Sequence, residues 1–138
     1  MLSDIQIKKK IDSLSIKLNL GNFQEVISET SVLLKKNKHQ VFFNILCLAY
    51  QGIKEFAKSE AVMNEALKLN PNNPYFLNNM GTTQHKMGNF TAAEDYFLRG
   101  LKIVPNYINV LNNLGNLKRD LDNTDEAISY YKKSLSIN

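Results

Sequence analysis

Residues 71–104 read PNNPYFLNNMGTTQHKMGNFTAAEDYFLRGLKIV, and residues 105–138 read PNYINVLNNLGNLKRDLDNTDEAISYYKKSLSIN. Laid one above the other, they pair Pro71 with Pro105, Gly81 with Gly115 and Ala93 with Ala127, each 34 residues apart. The same period reaches upstream, where Phe56 recurs as Phe90, and Met63 recurs as Phe97 and again as Tyr131. Independent features on one period mark a tandem repeat, and a tandem repeat decides the architecture before any single element is assigned.

Each period holds two amphipathic segments. In the last, Leu111, Leu114, Leu117 and Leu121 keep helical spacing, and after the break at Asp122-Asn123-Thr124 so do Ala127, Ile128, Tyr131 and Leu135. Asn22, Asn89 and Asn123 stand before second segments as N-caps, Gly21 and Gly88 precede two of them, and Asn73-Pro74 is a cap followed by proline at a first helical position. Strand patterns are absent, so the chain is expected to be all-α and built of helix hairpins.

The period and its residues resemble the tetratricopeptide repeat family. Its first helix carries a large apolar residue, then Leu-Gly, then Tyr; its second carries Ala, three spaces and an aromatic, and a Pro closes the unit. Matching residues are Phe43, Leu46 and Tyr50 in the second repeat, Leu77, Met80 and Gly81 in the third, and Leu111, Leu114 and Gly115 in the fourth, with Ala93 and Phe97 and then Ala127 and Tyr131 in the second helices. The resemblance implies about four units and eight helices, stacked as a right-handed superhelical solenoid of antiparallel helix hairpins. A single domain over 1–138 is expected, with repeats at about 3–39, 40–73, 74–107 and 108–138, and with Phe43, Leu46, Tyr50, Leu77, Met80, Leu111 and Leu114 buried. Gly81, Gly115, Ala93 and Ala127 are small where two helices cross closely. Cys47 replaces the family Gly, Ser59 the Ala, and Gln84 and Lys118 the Tyr. The first repeat fits loosely: Lys38 lies near the expected Pro and Phe23 to Phe56 spans 33 residues, which leaves its register open by one.

Composition narrows the function. Of 138 residues 43% are hydrophobic, with 6 Gly and 3 Pro, which excludes a disordered or collagen-like chain. No apolar run approaches the roughly 18 to 20 residues that span a bilayer, and no signal peptide opens the chain, so a membrane partner is not expected and a cytoplasmic setting is. The formal charge of +4 is local: residues 1–39 carry seven Lys against four acids, 40–73 three against three, and 74–138 seven basic against six acidic. That distribution, without aromatics interleaved among basic residues, argues against nucleic acid.

Catalytic and metal chemistry find little material. Cys47 sits at the small packing position of its repeat, without the base a nucleophile needs. His85 has no second His, Cys or carboxylate at i±4 and reads as a solvated or groove-lining residue. Asp120, Asp122, Asp125 and Glu126 lack calcium-loop spacing and suit the start of a final helix. The sequon Asn89-Phe90-Thr91 carries no meaning without a signal peptide. No enzyme, cofactor or metal is expected in this segment.

One polar pattern stands out. Tyr75, Asn78, Thr82 and His85 share a face of the first helix of the third repeat, and Asn109, Asn112, Asn116 and Arg119 repeat it in the fourth. In the family this face lines the groove that receives peptides, and Asn79 and Asn113 match the asparagine ladder with which tetratricopeptide superhelices of glycosyltransferase type hold a peptide main chain. Asn44 lies in the corresponding region of the second repeat. An amide offers donor and acceptor together without charge, the complement of a peptide bond. Asn also fills 18 of the 138 positions beside 15 Lys and 11 Ile, as an AT-rich genome would give, so part of the stripe reads as solvated surface. The family's clamp for chaperone C-termini finds only Asn79 in place among Asn44, Leu48, Asn79, Asn109 and Asn113. The resemblance therefore implies a protein or extended peptide as partner. Two alternatives are self-association, through a C-terminal hairpin left uncapped with Ile128, Tyr131, Leu135 and Ile137 on its last helix, and, more weakly, RNA binding. The chain is also similar to tetratricopeptide regions placed ahead of bacterial transferase domains, where it would be the recruiting part of a larger protein.

Overall fold

The computed structural model describes Met1–Ile137. The described residues form eight α-helices and no strand: α1 (Asp4–Asn19), α2 (Phe23–Lys36), α3 (Gln40–Gly52), α4 (Phe56–Leu69), α5 (Pro74–Lys86), α6 (Phe90–Ile103), α7 (Ile108–Asp120) and α8 (Thr124–Ser136). They fall into two compact units, one from Met1 to Leu69 and one from Asn70 onward. In the first unit α1 packs on α2 and α3, α2 on α3, and α3 on α4. In the second, α5 packs on α6 and α7, α6 on α7, and α7 on α8. Each unit is thus two antiparallel hairpins with their first helices side by side.

All four hairpins turn through one left-handed residue: Gly21, Lys54, Gly88 and Asp122, with φ of 79°, 61°, 82° and 57°. At Gly21 and Gly88 the absence of Cβ makes this conformation accessible, and the chain closes the preceding helix by bonding Asn22 N to Lys17 O and Asn89 N to Gln84 O, both at 2.9 Å. These Asn therefore finish one helix and begin the next, and contrary to expectation neither side chain caps its helix. The Asn89 amide donates instead to Gln84 at 2.8 Å. Asn73 does cap, its Oδ1 accepting from the backbone N–H of Tyr75 and Phe76 at 2.9 and 3.2 Å, with Pro74 next in line. Asn123 caps more weakly, accepting from Glu126 N–H at 3.4 Å.

The left-handed residues also fix the first repeat. Gly21 precedes Lys54 by 33 residues, whereas the later intervals are 34. The missing residue lies between hairpins: α2 and α3 are joined by residues 37–39, but α4 to α5 and α6 to α7 by four residues each.

Burial follows the helical apolar faces. Phe43, Leu46, Leu77, Met80, Leu111 and Leu114 are buried as expected, but Tyr50 is only half-buried, its ring shared with the Lys58 ammonium 5.9 Å away. Close helix crossings are sharp, two of them within hairpins and one between the α2 and α3 of successive hairpins. A Cβ added to Gly81 would stand 2.5 Å from the Phe97 ring, one on Gly115 2.5 Å from Tyr131, and one on Gly52 2.5 Å from Phe23. Phe97 and Tyr131 fill the space that the glycines leave, and burying such a ring contributes about 1.5 to 3 kcal/mol. Cys47 is fully buried at the equivalent point of the second hairpin.

Candidate functional site

The second unit sets α5 beside α7, so the side chains that share a face on each helix become one surface. Its centre is a cross-helix bond. Asn113 Nδ2 donates to Asn78 Oδ1 at 2.8 Å and lies 3.5 Å from Thr82 Oγ1. The three side chains are half-buried. One turn further along α7, the Tyr131 hydroxyl donates to Asn116 Oδ1 at 2.6 Å, tying that amide to α8.

The two ends of this surface differ in chemistry. Toward the helix starts, Tyr75 is 59% exposed and meets Tyr107 edge-on, ring centres 5.9 Å apart. Burial, then the neighbouring Tyr75, pushes the Tyr107 hydroxyl above its usual pKa, so it stays protonated at neutral pH. Toward the helix ends, His85 Nε2 meets Asp120 Oδ2 at 2.8 Å, and Asp120 Oδ1 accepts from Arg119 Nη2 at 3.2 Å. The His85 hydrogen bond, supported by Arg119, holds the Asp120 carboxyl below the ordinary carboxylate range. The His85 ring also rests edge-on against Phe90.

Of the residues singled out from the sequence, the structure brings together Asn78, Thr82 and Asn113, and separately His85, Asp120 and Arg119. Asn112 is half-buried on the same helix as Asn113, and Asn109 is exposed. Asn79 is 9% exposed and belongs more to the core than to the surface. Asn44, half-buried on α3, belongs to the first unit. Among the described residues no group of three His, Cys, Asp or Glu is placed to hold a metal, and no helix is long and apolar enough to cross a membrane.

Family models for the tetratricopeptide repeat match residues 39–73 and 74–138. The chain belongs to the tetratricopeptide repeat family. Solved structures share the fold. A thermophilic tetratricopeptide repeat protein of Thermus thermophilus superposes with a TM-score of 0.83 at 18% identity, covering 89% of this chain and 69% of that one. Pseudomonas aeruginosa pilF gives 0.83 at 21%, covering 95% and 60%. A MamA structure gives 0.75 at 20%, covering 91% and 77%. No curated protein matches the chain. Tetratricopeptide repeats serve generally as protein-interaction scaffolds, typically without catalysis.

Against that family pattern, the position of the motif's Tyr is the most altered. Counting from the left-handed residue of each turn, the fourth residue before it is Lys17, Tyr50, Gln84 or Lys118. The fourth residue after it is Glu25, Lys58, Ala92 or Glu126. In three hairpins these two residues pair: Lys17 with Glu25 at 2.8 Å, Tyr50 with Lys58 through the ring face, and Lys118 with Glu126 at 2.9 Å. Lys118 also meets Glu94 at 2.8 Å, and these two carboxylates, Glu94 first, raise its pKa. Tetratricopeptide hairpin 3 has Gln84 and Ala92 instead, and there an open hollow of about 570 Å³ is lined by Gln84, Asn89, Phe90, Ala92 and Leu121. Reading within helices by i±3 and i±4 missed the His85–Asp120 and Asn78–Asn113 bonds. Both pairs are 35 residues apart, one repeat plus one residue, and that offset was their only signal in the sequence.

Proposed function

We propose that this chain binds an extended protein segment along the face that α5 and α7 share, as the recruiting module of a larger assembly. The observation carrying the reading is the cross-helix amide bond from Asn113 to Asn78, set in a nearly uncharged row with Asn109, Asn112, Thr82 and Asn116. Uncharged donors and acceptors in one row match a peptide main chain and give no sign preference. Aromatic exposure at Tyr75 supplies an apolar anchor of the kind that dominates interface energies. Binding of this kind should be nearly insensitive to salt, whereas RNA binding would fall steeply with it.

The experiment is a nonapeptide array read by fluorescence polarisation, with and without the double change Asn109→Arg and Asn112→Arg. Asn109 is exposed and Asn112 half-buried, so lost binding by a variant whose helical content and melting match the parent's supports the face. Unchanged binding would remove it from consideration. A second reading, self-association, is favoured by one feature: α8 leaves Ile128 and Leu135 exposed, Leu135 at 76%. A concentration-dependent mass in sedimentation, abolished by Ile128→Lys with Leu135→Lys, would establish it.

A further inference from the structure

We infer that the seam between α1 and α2 is a second docking groove, and that its occupant is an acidic amphipathic helix of a partner protein. Two hollows open along this seam. One, of about 660 Å³, lies between Met1, Leu2 and Gln6 around the start of α1 and Val32, Leu33 and Lys36 near the end of α2. The other, of about 500 Å³, lies between Lys10, Ser13 and Lys17 on α1 and Ser28 and Glu29 on α2, and it is lined by the same Val32 and Leu33. Because they share those two residues, the hollows make one groove that follows both helices, with its apolar end at Met1 and Leu2.

The lining of this groove inverts the pattern of the later hairpins. Eleven residues before the left-handed turn residue stand Lys10, Phe43, Leu77 and Leu111. The last three are buried, whereas Lys10 is exposed. Eleven residues after it stand Val32, Glu65, Arg99 and Lys133, and Val32 is 54% exposed where the other three hairpins carry a charge. Lys10 and Val32 line the same hollow. A cation at a position otherwise apolar, across from an exposed apolar side chain at a position otherwise charged, fits a partner that offers both apolar and acidic groups.

Charge sets the sign of that partner. Residues 1–39 carry seven Lys against four acids. Two of the acids, Glu25 and Glu29, are bonded to Lys17, and Lys38 meets Glu65 at 2.8 Å. Lys8, Lys9, Lys10, Lys35 and Lys36 are exposed and make no ion pair among the described residues. Of these, Lys10 and Lys36 line the groove, one in each hollow. The groove therefore sets unpaired positive charge along an apolar floor. A seam between two antiparallel helices takes a third helix as a bundle does, with its apolar stripe on Val32 and Leu33 and its carboxylates within reach of Lys10 and Lys36. Attraction of this kind weakens with salt, in contrast to binding on the nearly uncharged α5 and α7 face.

The test uses the whole chain and a synthetic helix of about four turns, with Leu at helical spacing on one face and Glu and Ala elsewhere. Two control peptides exchange every Glu for Lys, or every Leu for Ala. The Glu and Leu peptide should shift the amide resonances of Gln6, Val32 and Leu33, and its binding should weaken as salt rises from about 0.05 to 0.5 M. Against Lys10→Glu with Lys36→Glu the loss should be about tenfold or more, and Lys10→Gln with Lys36→Gln, which adds no new charge, should lose less in the same direction. Val32→Glu, which gives the first hairpin the residue type of the second, should weaken binding as well, whereas Asn109→Arg with Asn112→Arg should leave it unchanged. Failure of this groove and failure of the α5 and α7 face are thereby read separately. Equal binding by the Lys peptide, no loss in either lysine pair in folded variants, or resonance shifts confined to other residues would overturn the assignment. Absence of peptide binding would overturn it too, and lysine-dependent sedimentation on vesicles of phosphatidylglycerol and phosphatidylcholine would then give the groove to a membrane surface instead.

Discussion

The first hairpin and the two hairpins of the second unit fill the same repeat positions with opposite distributions of bulk. Seven residues before and nine after the left-handed turn residue stand Gly81 and Phe97, Gly115 and Tyr131, Cys47 and Met63, and Leu14 and Thr30. In the second unit the first helix gives up its side chain and the second helix supplies a ring. In the first hairpin the first helix supplies Leu14 and the second helix only Thr30, both with no exposed surface. Cys47 and Met63 lie between these extremes. A repeat motif that names residue types therefore records only one way of dividing bulk between these two positions.

The largest test of this comparison is to break the odd hairpin. Leu14→Ala should destabilise the chain by about 3 to 5 kcal/mol, the range for a fully buried Leu that leaves a cavity. Leu14→Gly combined with Thr30→Phe converts the first hairpin to the arrangement of the third. It should recover at least half of the loss of Leu14→Gly alone in urea denaturation, and no recovery would show that the two positions do not share a space. The reciprocal change, Gly115→Leu, should cost about 1 to 3 kcal/mol by overpacking against Tyr131, and a denaturation midpoint equal to the parent's would undo the register of the fourth repeat.

How much of this was legible varied with the kind of signal. The hairpins, their turns and the buried Leu and Met positions could be read from apolar spacing, because burial on a helix is periodic along the chain. Gly81 and Gly115 could be read from the family pattern, but Gly52 could not. Its partner Phe23 is on α2, which packs on α3 from the preceding hairpin, and no period places it there. Thr30 hid the first repeat, since a motif search expects an aromatic at that point. In the candidate site the stripe itself was visible, yet the bond between its members depends on the offset of neighbouring first helices, which spacing within one helix does not contain. Asn22 and Asn89 looked like caps by position, but the turn directs their backbone, not their side chains, to the helix ends.

Smaller effects sharpen the comparison at the turns. The Lys118 pKa is raised by Glu94 and Glu126, so its stabilising contribution is complete below the unfolded value near 10.5 and is lost as the pH rises through the folded value. Thermal melts between pH 9 and pH 11.5 should therefore fall more steeply for the parent chain than for Lys118→Met, and parallel curves would show that the pair is energetically idle. Smallest of all, Asp122→Gly and Lys54→Gly relieve a left-handed backbone that Gly21 and Gly88 adopt freely. Each should stabilise by about 0.5 to 1 kcal/mol after the extra freedom of glycine in the unfolded chain is subtracted, and a destabilising result would mean that the side chain at that turn does more than tolerate its conformation.

The hollow beside Gln84 and Ala92 bears on how the array could be lengthened. In hairpins one, two and four a side-chain pair clasps the two helices across the turn, so a longer connection there would pull that clasp apart. Hairpin three has Gln84 and Ala92 at those two positions, its turn is bridged by the Asn89 side chain on Gln84, and that turn, Met87-Gly88-Asn89, is exposed on the surface. A segment grafted between Gly88 and Asn89 would meet the loop-closure cost, which grows only slowly with length, and would give up the Asn89 amide bond to Gln84. Of the four turns this is the one best suited to carry a reporter or a second binding loop, close to the His85 end of the α5 and α7 face without lying across it.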